Sequence, residues 1–189
     1  MKFNRLMRVL GLWCQRGAIR RGDYLRKHHV FAGIGENVRY QLRSVPLYPE
    51  LIRIGNNVNI SSNVSMITHD AIQLVYNKLP NAKVKLPEKV GCIEIGDNVF
   101  IGAQAIILGG VRIGSNVIVS AGAYVNKDLE SGGIYGGIPA RRIGDFDAFW
   151  EKRINTPYSS VAHNQRITQG EIDAAWAAFY EARQPAPKD

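Results

Sequence analysis

Aliphatic residues recur at every sixth position through the middle of the chain. The clearest run consists of Ile95, Ile101, Ile107, Ile113, Val119 and Val125, and a shorter run in the same frame consists of Ile54, Ile60 and Met66. A period of six fits neither the 3.6-residue turn of a helix nor the two-residue alternation of a strand. It predicts short strands joined by tight turns, with the aliphatic side chains stacked inside a solenoid.

The positions between the aliphatic residues carry typical turn residues. Residues 96–98 read Gly-Asp-Asn and residues 114–116 read Gly-Ser-Asn, all of which tolerate a positive φ. The predicted fold class is therefore all-β, a solenoid over residues 31–145 with helical segments at both ends. A β-sandwich would instead show alternating residues with irregular turn spacing.

Two stretches interrupt the repeat. One lies between Val38 and Ile52, and the other covers residues 71–92 and holds two prolines and four lysines. A patternless stretch of this length inside a compact domain is usually functional or mobile. We therefore expect residues 71–92 to form a loop of that kind.

Both ends of the chain are predicted to be helical. Residues 1–30 form a basic segment with one apolar face at helical spacing. That face consists of Phe3, Leu6, Leu10 and Trp13. In the tail, residues 146–189, an alanine-rich helix is predicted from Glu171 to Arg183.

The positive charge of the chain is concentrated in its first segment. The net charge is +8, and residues 1–30 carry eight basic side chains against one acidic one, while the rest is nearly balanced. This distribution argues against a nucleic-acid-binding fold, which presents a broad basic face. The segment either caps the open end of the solenoid or lies on an anionic membrane surface, and both interpretations stay open.

The sequence predicts no membrane span, because it contains no apolar run of about 18 residues. The short apolar stretch near the N-terminus is broken by Arg8 and lacks a cleavage site, which argues against a signal peptide. Two cysteines, Cys14 and Cys92, form no disulfide framework and fit a reducing compartment. The expected location is the cytoplasm, with peripheral contact to the inner face of the membrane as an alternative.

Of the four histidines, only His69 lies within the repeats. It stands where the repeat breaks into the loop of residues 71–92, so it should be accessible and partly shielded. Imidazole exchanges protons near neutral pH and suits proton abstraction, although a single histidine can equally serve a surface role. The neighbouring Asp70 either orients the imidazole or caps the turn.

Several motifs together resemble those of the hexapeptide-repeat acyltransferases, over roughly residues 30–153. Besides the tandem hexads, these are Thr-His-Asp at 68–70, Ile-Gly-Asp-Asn-Val-Phe-Ile-Gly at 95–102, Ala-Gly-Ala-Tyr-Val-Asn-Lys-Asp at 121–128 and Gly-Gly-Ile-Pro-Ala-Arg at 136–141. The chain is most similar to the O-acetyltransferases of bacterial capsule and lipopolysaccharide within that family.

The resemblance implies a left-handed parallel β-helix with three hexads per coil. It also implies a homotrimer with each active site between two subunits, covered by the protruding loop of residues 71–92. The donor would be acetyl-CoA or another acyl-CoA, and the acceptor a saccharide hydroxyl in a surface-polysaccharide precursor. His69 would act as general base in a direct attack, with no covalent enzyme intermediate.

The resemblance also implies which residues bind the two substrates. The donor site would comprise Gly102, Ala103, Ala121, Asn126, Lys127 and Arg141. A backbone N–H of Gly102 or Ala103 would stabilise the oxyanion, and the cations would meet the phosphates of coenzyme A. The acceptor would contact Phe100, Tyr40 and Gln41, although related sugar acetyltransferases place an asparagine where Tyr40 and Gln41 stand.

Other functions remain as alternatives. A zinc-dependent carbonic anhydrase of the same fold needs three coil histidines, so no metal site is predicted. Serine acetyltransferases carry a long helical N-terminal domain, which residues 1–30 cannot supply. A non-catalytic solenoid scaffold would keep the repeats without reason to keep His69. A sugar amine or an antibiotic hydroxyl could also replace the saccharide hydroxyl as acceptor.

Overall fold

The computed structural model of the chain describes residues 2–156 and 166–183, and only the backbone of residues 2–5. The chain divides into two compact units, Met1–Ala148 and Phe149–Asp189. The strands are β1 (Gly33–Ile34), β2 (Arg39–Tyr40), β3 (Ile52–Ile54), β4 (Val58–Ile60), β5 (Ser65–Ile67), β6 (His69–Asp70), β7 (Lys89–Val90), β8 (Ile93–Ile95), β9 (Val99–Ile101), β10 (Ile106–Leu108), β11 (Val111–Ile113), β12 (Val117–Val119), β13 (Tyr124–Val125), β14 (Gly133–Gly136) and β15 (Arg141–Asp145). The helices are α1 (Lys2–Cys14), α2 (Ala18–Lys27), α3 (Gln73–Tyr76), α4 (Phe146–Asn155) and α5 (Gln169–Glu181).

Most strands belong to three parallel sheets that the chain visits in turn. Sheet A has the order β1-β3-β8-β11, sheet B the order β2-β4-β9-β12-β14, and sheet C the order β5-β10-β13. Strand β15 closes sheet B by pairing antiparallel with β14. Each full coil contributes one strand to each sheet, so the first unit is a three-faced parallel β-solenoid. The predicted solenoid of short strands is confirmed.

The interior of the solenoid is the predicted aliphatic column. Ile95, Ile101, Ile107, Ile113, Val119 and Val125 are each at most 2% exposed. Register keeps the column aligned, because Ile54 pairs with Ile95, and Ile95 pairs with Ile113. Burying one such side chain contributes about 1.5–3 kcal/mol to stability.

The turn from sheet A to sheet B is made by an asparagine in four successive coils, and we call it the asparagine corner. Asn37, Asn57, Asn98 and Asn116 occupy this corner with φ between 53° and 56°. The side-chain amides of Asn37, Asn57 and Asn98 each donate to the next asparagine, over 2.8 to 2.9 Å. Asparagine suits this corner because it tolerates left-handed φ and satisfies its own polar groups along the ladder.

The two N-terminal helices cover the first coil. Leu12 and Leu25 are fully buried in the common core. The Arg21 guanidinium is also buried, and its Nε donates to the carbonyl of Tyr40 over 2.8 Å at the open end of the solenoid. Gly22 permits the close approach, since a Cβ there would lie 2.0 Å from the Val38 carbonyl oxygen. The basic segment thus covers the open end of the solenoid, which is the first of the two interpretations that the sequence left open.

The loop of residues 71–92 contains regular structure. Strands β6 and β7 pair antiparallel at its base, and the four-residue helix α3 follows β6. Further out, the Asn77 side chain donates to the Leu86 carbonyl and accepts from the Leu86 N–H, both over 2.8 Å. The loop is therefore fastened at its base and across its middle.

The second unit contains α5, which begins two residues before the predicted start at Glu171. The reason is a capping box, in which the Thr168 side chain accepts from the Glu171 N–H and the Glu171 side chain accepts from the Thr168 N–H. These bonds also lower the pKa of the Glu171 carboxyl.

Candidate active site

The solenoid has two further corners beside the asparagine corner. The chain turns from sheet B to sheet C at residues 61–64, 102–105 and 120–123, which we call the small-residue corner. It turns from sheet C to sheet A at residues 68–92, 109–110 and 126–128, which we call the loop corner. The predicted catalytic and donor-binding residues lie at these two corners, with Arg141 at the start of β15.

His69 lies at the loop corner and is held by both interruptions of the repeat. On one side it pairs with Val90 in the β6–β7 ladder. Just before it, the buried Thr68 side chain donates to the carbonyl of Leu47, in the first interruption. These contacts fix the backbone of His69 where the solenoid surface opens.

The imidazole of His69 faces a tyrosine and a glutamate from different segments. Its Nε2 lies 3.9 Å from Oε1 of Glu88, and its ring meets the edge of the Tyr48 ring at a centroid distance of 5.7 Å. Tyr48 donates to Oε2 of Glu88 over 2.9 Å. That hydrogen bond raises the pKa of Tyr48, which keeps the phenol protonated as a donor.

The two nitrogens of the His69 ring differ in access. Nδ1 is buried and has no hydrogen-bond partner among the described residues, while the side chain as a whole is 28% exposed. A substrate hydroxyl therefore cannot reach Nδ1, which leaves Nε2 as the candidate base.

Asp70 caps a turn in the structure. Its Oδ1 accepts from the N–H of Ile72 over 3.3 Å, at the start of the loop. Of the two roles that the sequence left open for Asp70, the geometry therefore favours the cap. The carboxylate beside the imidazole is that of Glu88, which the sequence analysis missed. Glu88 carries no motif and approaches His69 only because β6 and β7 pair.

A cleft of about 160 Å³ opens beside His69. Its walls come from the β6–β7 base, from the end of β5 and from the next coil at Leu108 and Gly109. A larger groove of about 480 Å³ runs along sheet A, but it contains no histidine, and its Arg112 is paired with Glu94. We therefore take the cleft at the loop corner as the candidate active site.

The small residues predicted to bind the donor line the small-residue corner. Gly102 is tightly packed, since a Cβ there would lie 2.4 Å from the Ala121 nitrogen. The Gly102 N–H donates to the carbonyl of Val119 over 2.8 Å, so it cannot also bind an oxyanion. The Ala103 N–H has no partner among the described residues and remains the candidate.

The polar donor-site candidates are all exposed. Asn126 and Lys127 lie at the loop corner, one coil beyond Gly109 and Gly110. Arg141 begins β15, and its Nη1 donates to the adjacent Ala140 carbonyl over 2.9 Å. These side chains are free to meet phosphates in solution.

The structure separates His69 from the small residues within one chain. His69 follows the end of β5, whereas Ala103 and Ala121 precede β10 and β13 in the same sheet. A three-residue strand spans about 10 Å, so the two groups lie at opposite ends of the strands of sheet C. One chain alone therefore does not bring all the predicted site residues into one pocket.

The acceptor prediction requires a correction at Tyr40. Its side chain is fully buried, packs against Phe31 and donates to the carbonyl of Ser44 over 2.8 Å, so it cannot contact an acceptor. Gln41 is half-buried at the small-residue corner and accepts from Ser62 over 3.0 Å. Phe100 is 44% exposed on the outer face of sheet B, away from the loop corner of its own chain.

Comparison with known families identifies the repeat. Residues 93–127 match the family described as bacterial transferase hexapeptide (six repeats). Over 112 residues, covering 58% of each protein, the chain is 35% identical to YvoF of Bacillus subtilis (strain 168), whose name provisionally assigns it to the acetyltransferases. Over 106 residues it is 45% identical to protein CapG of Staphylococcus aureus, covering 55% of this chain and 58% of CapG. The chain thus spans less than two thirds of these relatives.

Among solved structures, the chain is similar to a galactoside acetyltransferase in complex with coenzyme A. The likeness covers 88% of each chain with a TM-score of 0.56 and 21% sequence identity. At this identity the likeness shows that the two proteins share a fold.

Proposed function

We propose that this chain, whose coils carry the repeat of the bacterial hexapeptide transferases, transfers an acetyl group from acetyl-CoA to a saccharide hydroxyl. The observation that carries the proposal is the position of His69. Its Nδ1 is buried, its Nε2 lies 3.9 Å from the Glu88 carboxylate, and the residue lines a cleft at a break in the coil. A non-catalytic scaffold would have no use for this arrangement.

His69 acts as the general base in the proposed reaction. Nε2 takes the proton of the acceptor hydroxyl as its oxygen attacks the thioester carbonyl carbon. The Ala103 N–H is the candidate donor to the resulting oxyanion. When the C–S bond breaks, the imidazolium returns the proton to the sulfur, leaving an acetyl ester and free coenzyme A.

Glu88 and Tyr48 support His69 without touching the donor. The Glu88 carboxylate stabilises the imidazolium during the interval in which it holds the proton. The Tyr48 hydroxyl holds Glu88 in place through its hydrogen bond. Both are positioning residues in this scheme, since each acts through the imidazole.

We further propose that the enzyme is a homotrimer of left-handed solenoids with each active site shared by two chains. The separation of His69 from Ala103 and Ala121 across sheet C supports this arrangement, because a second chain could supply the missing half of the site. The match of the repeat to the hexapeptide transferases supports the left hand of the coil.

Mixing two inactive variants tests the shared site. His69→Ala removes the base and Ala121→Trp fills the small-residue corner, so each variant alone should be inactive. If neighbouring chains supply the two halves, a trimer reassembled from equal amounts should regain about a quarter of wild-type activity. Light scattering should give three times the chain mass of 21.0 kDa. A reassembled mixture without activity, or a monomeric mass, contradicts the shared site.

Binding of acetyl-CoA, measured by calorimetry, tests the donor site. The Lys127→Ala/Arg141→Ala double variant should bind at least about tenfold more weakly, because it loses two charged contacts to phosphate. Arg53→Ala, an exposed cation on sheet A, is the matched control and should bind normally. If wild type fails to bind at about millimolar ligand, the donor site is refuted and the scaffold becomes the leading function.

The saccharide acceptor is supported by the polar groups around the cleft. Asp70 and Lys89 line the cleft beside His69 and offer one carboxylate and one ammonium group. Such groups suit a ligand with several hydroxyls. Pairs of sugars that differ only in hydroxyl against amine at one carbon test the choice, with coenzyme A release as the measurement. Faster turnover of the amine would contradict O-acetylation.

A further inference from the structure

The outer side of helix α1 is apolar and exposed. Leu6, Met7, Leu10 and Trp13 are each between 51% and 58% exposed. Leu6, Leu10 and Trp13 recur at helical spacing, and Met7 borders them. The opposite side of the helix is the one that packs, since Leu12 is fully buried.

Arginine side chains lie at the C-terminal end of this apolar face. The guanidinium of Arg43 lies over the Trp13 ring at 5.3 Å and donates to the Trp13 carbonyl over 3.2 Å. Directly after α1 come Arg16 and Arg20, which are exposed and have no carboxylate partner among the described residues. A contiguous apolar face bordered by unpaired cations marks a surface for interaction rather than a chance exposure.

We propose that the apolar face of α1 lies in the surface of an anionic lipid bilayer. A bilayer takes leucine and methionine side chains at the acyl boundary and tryptophan at headgroup level, while flanking arginines meet anionic headgroups. Helix α1 has 13 residues and is about 20 Å long, shorter than the roughly 30 Å hydrocarbon core, so it lies in the plane of the surface in this proposal.

A second copy of the chain fits this face less well than a bilayer does. Residues 1–30 carry eight basic side chains against one acidic one, so two copies would bring like charges together. An anionic surface neutralises the same charges. The proposal is independent of the transferase chemistry, because none of these residues belongs to the site at the loop corner.

Co-sedimentation with vesicles tests the proposal. The full chain should pellet with vesicles containing phosphatidylglycerol and stay in solution with pure phosphatidylcholine, and added salt should weaken the binding. Leu6→Ser/Leu10→Ser and Arg16→Glu/Arg20→Glu should each lower the partition coefficient about tenfold or more. Ile72→Ser/Val75→Ser is the matched control, because these residues are 72% and 71% exposed on the loop, and it should bind as wild type does.

Several outcomes would overturn the proposal. Equal binding to neutral and anionic vesicles, or no binding to either, removes the anionic surface as the partner. Normal vesicle binding by Leu6→Ser/Leu10→Ser, together with a smaller mass in light scattering, assigns the face to a contact between copies. Since every substituted side chain is exposed, thermal unfolding should show that all variants keep the fold.

Discussion

The asparagine corner and the loop corner belong to the same solenoid, but the residues repeat from coil to coil only at the first. At the asparagine corner four successive coils present the same residue in the same left-handed conformation, and the side-chain amides bond from one coil to the next. At the loop corner the coils differ: one turn holds the loop of residues 71–92, the next holds Gly109 and Gly110, and the third holds Asn126 and Lys127. Repetition stabilises one corner, while its absence leaves polar side chains available at the other.

The difference is visible in single atoms. The Asn98 side chain accepts from Asn57 and donates to Asn116, so both its polar groups are satisfied. His69 has no equivalent residue in the next coil, and its Nε2 lies 3.9 Å from Glu88, beyond hydrogen-bond distance. A side chain without a stacked copy can turn its polar atoms toward a substrate. The break in the repeat therefore marks the candidate active site.

The largest expected effect is that of His69→Ala on catalysis. Loss of the general base should lower kcat by about 10³-fold, within the range that acid–base catalysis contributes. The thermal midpoint should hardly change, because the ring is partly exposed at the edge of the solenoid. His28→Ala, an exposed histidine outside the coils, is the control. A His69→Ala variant with wild-type kcat would refute the role of base.

The next largest effect is expected from substitutions at the asparagine corner, and it concerns the free energy of unfolding and not catalysis. Asn98→Ala loses two ladder hydrogen bonds and forces alanine into φ 56°, which should cost about 2 kcal/mol in the free energy of unfolding. Asn98→Gly loses the same bonds without the backbone strain and should lose only about half as much. Urea unfolding measures both, and kcat should remain normal in each. Equal losses in the two variants would contradict the contribution of the left-handed backbone.

A smaller effect is expected from the residues that support His69. Glu88→Gln should lower kcat about tenfold with an unchanged KM, because a neutral amide no longer stabilises the imidazolium. Tyr48→Phe should have a weaker effect in the same direction. The double variant should be no worse than Glu88→Gln, since Tyr48 acts through that carboxylate. Additive losses in this double-mutant cycle would show that Tyr48 acts on its own.

The smallest expected effect is that of the outer loop on stability. Replacing residues 73–86 with a short glycine-serine linker should change the free energy of unfolding by less than about 1 kcal/mol, because none of them belongs to the buried core. The kcat should stay close to normal, because the loop residues that line the cleft, Lys89, Val90 and Gly91, are retained. A large loss of stability would show that the loop holds the solenoid together.

The hexad period predicted most of the fold because it acts at every coil. It fixed the interior column, the parallel register and the turn residues. The period also places Tyr40 in the interior, since it stands six positions after Ile34 and pairs with Ile60. The predicted contact between Tyr40 and an acceptor was wrong because this side chain is fully buried.

The neighbours of His69 could not be predicted in this way. Tyr48 and Glu88 come from the two interruptions, where no period relates sequence position to place in space. They meet His69 through the β6–β7 pairing and the bond from Thr68 to Leu47. Similarly, the Gly102 N–H is occupied because of the strand register between adjacent coils, and its residue type does not reveal this.

The asparagine ladder aligns successive coils whatever the number of residues between them. Asn57 bonds to Asn98 across 41 positions in the same way that Asn98 bonds to Asn116 across 18. Extra chain at the loop corner therefore leaves the alignment of the next coil undisturbed. Insertions at the loop corner can therefore be gained or exchanged while the asparagine corner keeps the coils aligned. This is a physical route by which one scaffold can come to bind new acceptors.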